Sequence, residues 1–177
     1  TNTGANNPHT TTIFNDKGEE VRQPINNKAL DKLMDMHQFS EKTFFQFKTK
    51  DGTKLNGWMI KPPDFNENEE YPVFMTCYGG PGIQTVTKDW GWTNFIYYQF
   101  LAQQGYIVVS VDNRGTGGRG VEFQKMTYQK LGHYEPIDQI AGAKYLAGQP
   151  YVDEDRIGIF GWSYGGYLTL LSLAEGA

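Results

Sequence analysis

Short apolar runs alternate with amphipathic stretches along most of this chain, and the alternation changes character near residue 71. Before that point the strand-like segments come in pairs. Residues 10–14 and 20–22 flank an Asn15-Asp16-Lys17-Gly18 turn, the pattern of a β-hairpin. Residues 26–38 carry Leu30, Leu33 and Met34 at helical spacing and predict a short surface helix or linker. Residues 43–47 and 55–60 flank Asp51-Gly52, two residues that tolerate positive φ, and predict a second hairpin. From Tyr71 onward, short apolar strands alternate with helices, the signature of a mostly parallel sheet covered on both faces. Strands are expected at 73–78, 106–111 and 156–160. A helix at 93–104 stops at Gly105, and another at 135–147 carries Ile137, Ile140, Ala141 and Tyr145 on one face. Hairpin, β-α-β-α-β, then turn and helix is the order of the N-terminal half of an α/β-hydrolase sheet, which fixes the class as α/β. The remaining strands are expected beyond Ala177.

The turn after the last strand holds the densest chemistry. Gly161-Trp162-Ser163-Tyr164-Gly165 places a serine between two spaced glycines, after a strand and before a helix of small and apolar residues. That is the grammar of a nucleophile elbow, in which side chains two positions either side of the serine would collide. Ser163 is the candidate nucleophile. The Tyr164 N–H, next in the chain, is one oxyanion donor by geometry, because backbone amides stabilise a tetrahedral intermediate without reorganisation. Tyr78-Gly79-Gly80-Pro81-Gly82 falls where this fold places its second donor; the residues alone leave open whether Tyr78 serves there or packs in the core. Gly115-Thr116-Gly117-Gly118-Arg119-Gly120 formally matches a dinucleotide fingerprint. Asp112, Asn113 and Arg114 intervene between strand and first glycine, so the preferred reading is a loop in which Arg114 and Asp112 pair locally.

Composition narrows the class. With 38% hydrophobic, 20% charged and 15% aromatic residues the chain reads as a soluble globular protein. A net charge of −4 without a basic cluster argues against an electrostatic footprint for nucleic acid or an anionic membrane. No run approaches the roughly 20 apolar residues of a spanning helix. Cys77, the single cysteine, ends an apolar run and is expected to be buried. His9, His37 and His133 have no metal-ligand spacing, so no metal or cofactor is expected. All three precede Ser163, whereas the α/β-hydrolase order is Ser, then Asp or Glu, then His.

Gly161-Trp162-Ser163-Tyr164-Gly165-Gly166-Tyr167 resembles the nucleophile motif of the prolyl oligopeptidase family, in its dipeptidyl peptidase IV branch. Tyr78-Gly79-Gly80-Pro81, Asp112-Asn113-Arg114-Gly115, Leu131-Gly132 and Asp138-Gln139 extend the likeness over nearly the whole chain, and the arrangement at 111–120 looks most like members from the Bacteroidetes. The resemblance implies residues 1–25 as the end of a β-propeller, 26–42 as a linker and helix, and 43–177 as a truncated N-terminal part of the catalytic domain. It implies a serine exopeptidase that releases N-terminal dipeptides with Pro or Ala at the penultimate position. Tyr78 would lend its hydroxyl to the oxyanion hole with the Tyr164 amide, and the Tyr164 ring would line the substrate pocket. The partners implied are short peptide substrates and, in the full-length protein, a second copy in a homodimer; the location implied is periplasmic or cell-surface.

Only fourteen residues follow Ser163. The chain is therefore expected to be a piece of a longer polypeptide that supplies the catalytic Asp and His. By itself it should be inactive or nearly so, since a serine hydroxyl needs an adjacent base, and its elbow strand should leave a bare edge. Two other readings stay open: a carboxylesterase or acyl-peptide hydrolase on the same fold, and a non-catalytic hydrolase-like binding protein.

Overall fold

The computed structural model describes residues 1–176, with the side chains of residues 92 and 93 outside the description. Two sheets divide the strands. The first is antiparallel, in the order β1 (Asn2–Gly4), β2 (Asn7–Phe14) and β3 (Glu20–Ile25). Its β2–β3 turn is closed by Asn15, whose side-chain oxygen accepts the Lys17 and Glu19 N–H groups at 3.0 and 2.9 Å. The strand β1 carries no periodic signal of its own and pairs with β2 through tertiary context. Next, α1 (Lys28–Met36) lays Leu30 and Met34 against the main domain.

The second sheet runs in the order β4 (Lys42–Lys48), β5 (Lys54–Ile60), β7 (Ile107–Asp112), β6 (Tyr71–Cys77) and β8 (Val152–Gly161). The predicted hairpin pairs in register from Lys42↔Ile60 to Lys48↔Lys54. Its strand β5 joins β7 antiparallel, and β7, β6 and β8 are mutually parallel. This is the N-terminal half of an α/β-hydrolase sheet, with β8 bonded to β6 at the end of the order.

Side-chain alternation sends the strands into two cores. Leu55, Met59, Met75, Val109 and Val111 pack toward α4 (Tyr134–Ala147) and its Leu146. Trp58, Ile60 and Val108 pack toward α2 (Trp92–Gln103), around Phe95 and Ala102. Every residue of β7 is buried, as a central strand covered on both faces requires. Ile137, on the face of α4 singled out by its apolar periodicity, is 42% exposed; Glu135, Asp138 and Gln139 are buried instead. Their spacing of i, i+3 and i+4 places all three on one stripe. A short α3 (Val121–Lys125) was not foreseen. After β8 the chain turns into α5 (Tyr164–Gly176), which contacts β8, β6 and α4. Among the described residues no helix is long and apolar enough to cross a membrane.

Candidate active site

At the end of β8, Ser163 has φ +58°, a left-handed conformation that a non-glycine residue holds at a cost of about 1–3 kcal/mol. The start of α5 sustains it. The Ser163 carbonyl accepts the Gly166 and Tyr167 N–H groups at 3.0 and 3.2 Å, and the Trp162 carbonyl accepts the Gly165 N–H at 2.9 Å. Ser163 is exposed, and Trp162 beside it is 82% exposed. The bend presents the hydroxyl outward, as the elbow pattern requires.

The glycine frame is explained by close backbone approach. A Cβ on Gly161 would run into the Gly165 backbone and come within 2.7 Å of the Cys77 carbonyl oxygen. One on Gly165 would collide with that same oxygen and lie 3.2 Å from the Tyr78 Cα. The elbow is thus pressed onto the end of β6, and this contact brings Tyr78 beside the turn. Cys77 is buried as expected, and burial pushes its thiol up to about 11.

The two tyrosines singled out as oxyanion donors come together. Their ring centroids are 6.2 Å apart and tilted by 39°. Gly80 lies at their junction, where a Cβ would sit 2.6 Å from Tyr78 Cε1 and 3.2 Å from Tyr164 Cγ. Tyr164 opens α5, and the first N–H groups of a helix have no acceptor within it, so its amide is available to an anion. Its hydroxyl donates to Glu135 Oε1 at 2.6 Å. Burial, then the Glu135 bond, raises the Tyr164 pKa above the usual tyrosine range.

Behind this pair lies polar scaffolding that sequence reasoning missed. Gly79 has φ +69°, and its carbonyl accepts Asn113 Nδ2 at 2.9 Å. Asn113 Oδ1 accepts Gln139 Nε2 at 3.0 Å. Asp112 and Arg114 do not pair locally. The Asp112 carboxylate instead accepts the Thr85 N–H at 2.9 Å, the Thr85 hydroxyl at 2.7 Å and the Val86 N–H at 3.0 Å. Arg114 bonds Asp138 and Asp51, with its guanidinium 4.5 Å from the Tyr134 ring centre. The reason is that β7 ends at Asp112, so strand alternation no longer governs Arg114. Asp112 faces the α2 side with Ser110, while Arg114, past the strand end, turns toward α4. The sequence signals for this scaffold are the spacing of Glu135, Asp138 and Gln139 and the motifs at 112–115 and 138–139, whose structural task the sequence does not disclose.

In the 115–120 loop, Gly115, Gly117 and Gly118 lie where an added Cβ would come within 3.0 Å of a neighbour. The Gly82 N–H donates to the Gly115 carbonyl at 2.9 Å, and a Cβ on Gly117 would sit 2.5 Å from the Gly82 carbonyl oxygen. The two glycine-rich loops interlock, and the helix that follows Gly120, α3, is only five residues long. The histidines sit on three separate elements: His9 in β2, His37 at the end of α1 and His133 at the start of α4. Beside the elbow, a cavity of about 370 Å³ is lined by Tyr78, Tyr97, Tyr98, Phe160, Gly161 and Trp162 among others. An exposed serine beside a helix-start amide and a neighbouring tyrosine offers a nucleophile and two oxyanion donors, and attack on an acyl carbon further requires an adjacent base.

Residues 92–177 match the prolyl oligopeptidase family. A protein of Arthroderma gypseum named "Probable dipeptidyl-aminopeptidase B" is 50% identical over 129 residues, 73% of this chain and 14% of that protein. Dipeptidyl peptidase 4 of Arthroderma otae is 38% identical over 155 residues, 87% of this chain and 20% of that protein. The crystal structure of Porphyromonas gingivalis dipeptidyl peptidase 4 superposes with a TM-score of 0.91 at 43% identity, over 99% of this chain and 25% of that one. The chain spans a fifth or less of these two curated relatives.

Proposed function

Because this chain belongs to the prolyl oligopeptidase family, we propose that Ser163 is the nucleophile of a serine exopeptidase that removes N-terminal dipeptides ending in Pro or Ala. The observation that carries this reading is the elbow itself: an exposed serine at φ +58° between two glycines whose side chains would strike the end of β6. In the proposed reaction Ser163 Oγ adds to the carbonyl carbon of the penultimate residue and gives up its proton to a histidine. The carbonyl oxygen becomes an oxyanion held by the Tyr164 N–H and the Tyr78 hydroxyl. Collapse breaks the C–N bond, the histidine returns its proton to the departing amine, and water then hydrolyses the acyl-enzyme. That histidine and its orienting carboxylate belong, in this proposal, to polypeptide following residue 177. Residues 1–25 are the closing strands of a propeller, and the location is periplasmic or cell-surface.

The test is Ser163→Ala in the full-length enzyme with a Gly-Pro chromogenic amide. Loss of turnover by a factor of about 10⁴ or more supports the reading; unchanged turnover overturns it. Turnover of esters without amides would instead favour the esterase alternative.

A further inference from the structure

Glu135 is a carboxylate with 0% exposure, and the proposed chemistry gives it no task. Its two oxygens do different things. Oε2 accepts the Gly132 N–H at 3.1 Å, which closes the turn leading into α4. Oε1 accepts the Tyr164 hydroxyl at 2.6 Å, across to the first residue of α5. The Gly132 turn is itself seated on α5, since a Cβ there would strike the Tyr167 hydroxyl and come 3.0 Å from Leu171. Tyr167 packs edge-on against Tyr164 with ring centres 5.4 Å apart.

We propose that Glu135 is a positioning residue for the nucleophile elbow, acting through the Tyr164 hydroxyl to fix the residue that directly follows Ser163. This rests on the reading of Ser163 as nucleophile. The geometry explains why a hydrogen bond here matters. Tyr164 is attached to the strained Ser163 on one side and wedged against Tyr78 on the other, with Gly80 leaving no slack between the rings. Anchoring its far end to a buried carboxylate on α4 removes the remaining freedom of the ring. The Tyr164 amide then holds its direction, and small displacements of an oxyanion donor are costly to rate.

A carboxylate that merely capped α4 would act through Gly132 alone, and the two roles separate in a double-mutant cycle. The measurements are kcat and KM of the full-length enzyme on a Gly-Pro amide, for Glu135→Gln, Glu135→Ala, Tyr164→Phe and the Ala/Phe double variant. Glu135→Ala and Tyr164→Phe are each expected to lower kcat by about 10- to 100-fold, with KM moving much less. The double variant is expected to be no worse than the poorer single one, because both remove the same bond. Glu135→Gln is expected to recover most of the loss: its carbonyl can accept from Gly132 while its amide donates to the tyrosine oxygen. Should Glu135→Ala not fold, Tyr164→Phe carries the test, since it deletes one oxygen and leaves the Gly132 bond in place.

Effects that multiply in the double variant, or full activity in Tyr164→Phe, would overturn the positioning role. Ser163→Ala runs alongside. If it abolishes turnover and the cycle is additive, the positioning role alone fails. If it leaves turnover unchanged, the nucleophile assignment fails and the positioning role falls with it.

Discussion

The Asp138 carboxylate grips Arg114 at both its backbone and its side chain. It accepts the Arg114 N–H at 2.7 Å, Nε at 3.0 Å and Nη2 at 2.6 Å. Both residues are buried, and Arg114 Nη1 reaches out to Asp51, whose side chain is 53% exposed. The pair pins the chain leaving β7 to α4, next to the Asn113 that holds Gly79.

Removing one partner of such a pair leaves a buried charge without compensation, so Asp138→Ala should destabilise by about 3–5 kcal/mol. Arg114→Lys should not rescue the geometry, because an ammonium cannot reproduce the planar fork. Asp51→Ala should cost about 1 kcal/mol or less, since its end of the bridge faces water. Urea denaturation midpoints at unchanged slope would verify the ranking.

The elbow glycines predict a sharp contrast over six residues. Gly161→Ala and Gly165→Ala each force a methyl group into backbone at the end of β6 and should abolish activity and soluble expression together. Gly166→Ala meets only the Gly161 carbonyl oxygen at 3.4 Å, ordinary contact, and lies within α5. There Ala is favoured over Gly by about 1 kcal/mol, so this variant should keep its fold and melt no lower than the parent. Thermal melts of the three variants would show it.

Cys77 gives an alkaline signature. Its thiol is raised from 9.0 to about 11 by burial. A group whose folded pKa is raised binds its proton longer in the native state, so its contribution is whole below pH 9.0 and declines as pH climbs toward 11. The loss reaches about 3 kcal/mol at most. Stability measured at pH 8 and at pH 10.5 should fall more steeply in the parent than in Cys77→Ala, and native Cys77 should resist thiol reagents at pH 8. Equal slopes in the two proteins would contradict the burial argument.

Periodicity made most of the fold legible. Alternation placed the hairpin and the parallel strands, and Gly105, at φ +85°, ends α2 where the sequence stops it. The serine between two glycines disclosed the elbow, because only a close backbone approach demands that pattern. What stayed hidden is polar. Of the apolar stripe Ile137, Ile140, Ala141 and Tyr145, Ala141 and Tyr145 pack on the core while Ile137 stays exposed, and Glu135, Asp138 and Gln139 go inward because each meets a partner from a distant segment: Tyr164, Arg114 and Asn113. Periodicity cannot register a carboxylate neutralised by an arginine 24 residues away. The Asp112–Arg114 pairing failed for a related reason, since proximity in sequence says nothing of which side of the sheet each residue leaves by.

If Ser163 is the nucleophile, a reagent that reacts covalently with activated serines will mark it. The full-length enzyme is treated with a fluorophosphonate, digested, and the adduct located by peptide mass mapping. A single adduct is expected on the peptide containing Ser163, absent in Ser163→Ala with the fold intact. An adduct on a different serine, or labelling undiminished in Ser163→Ala, would contradict it.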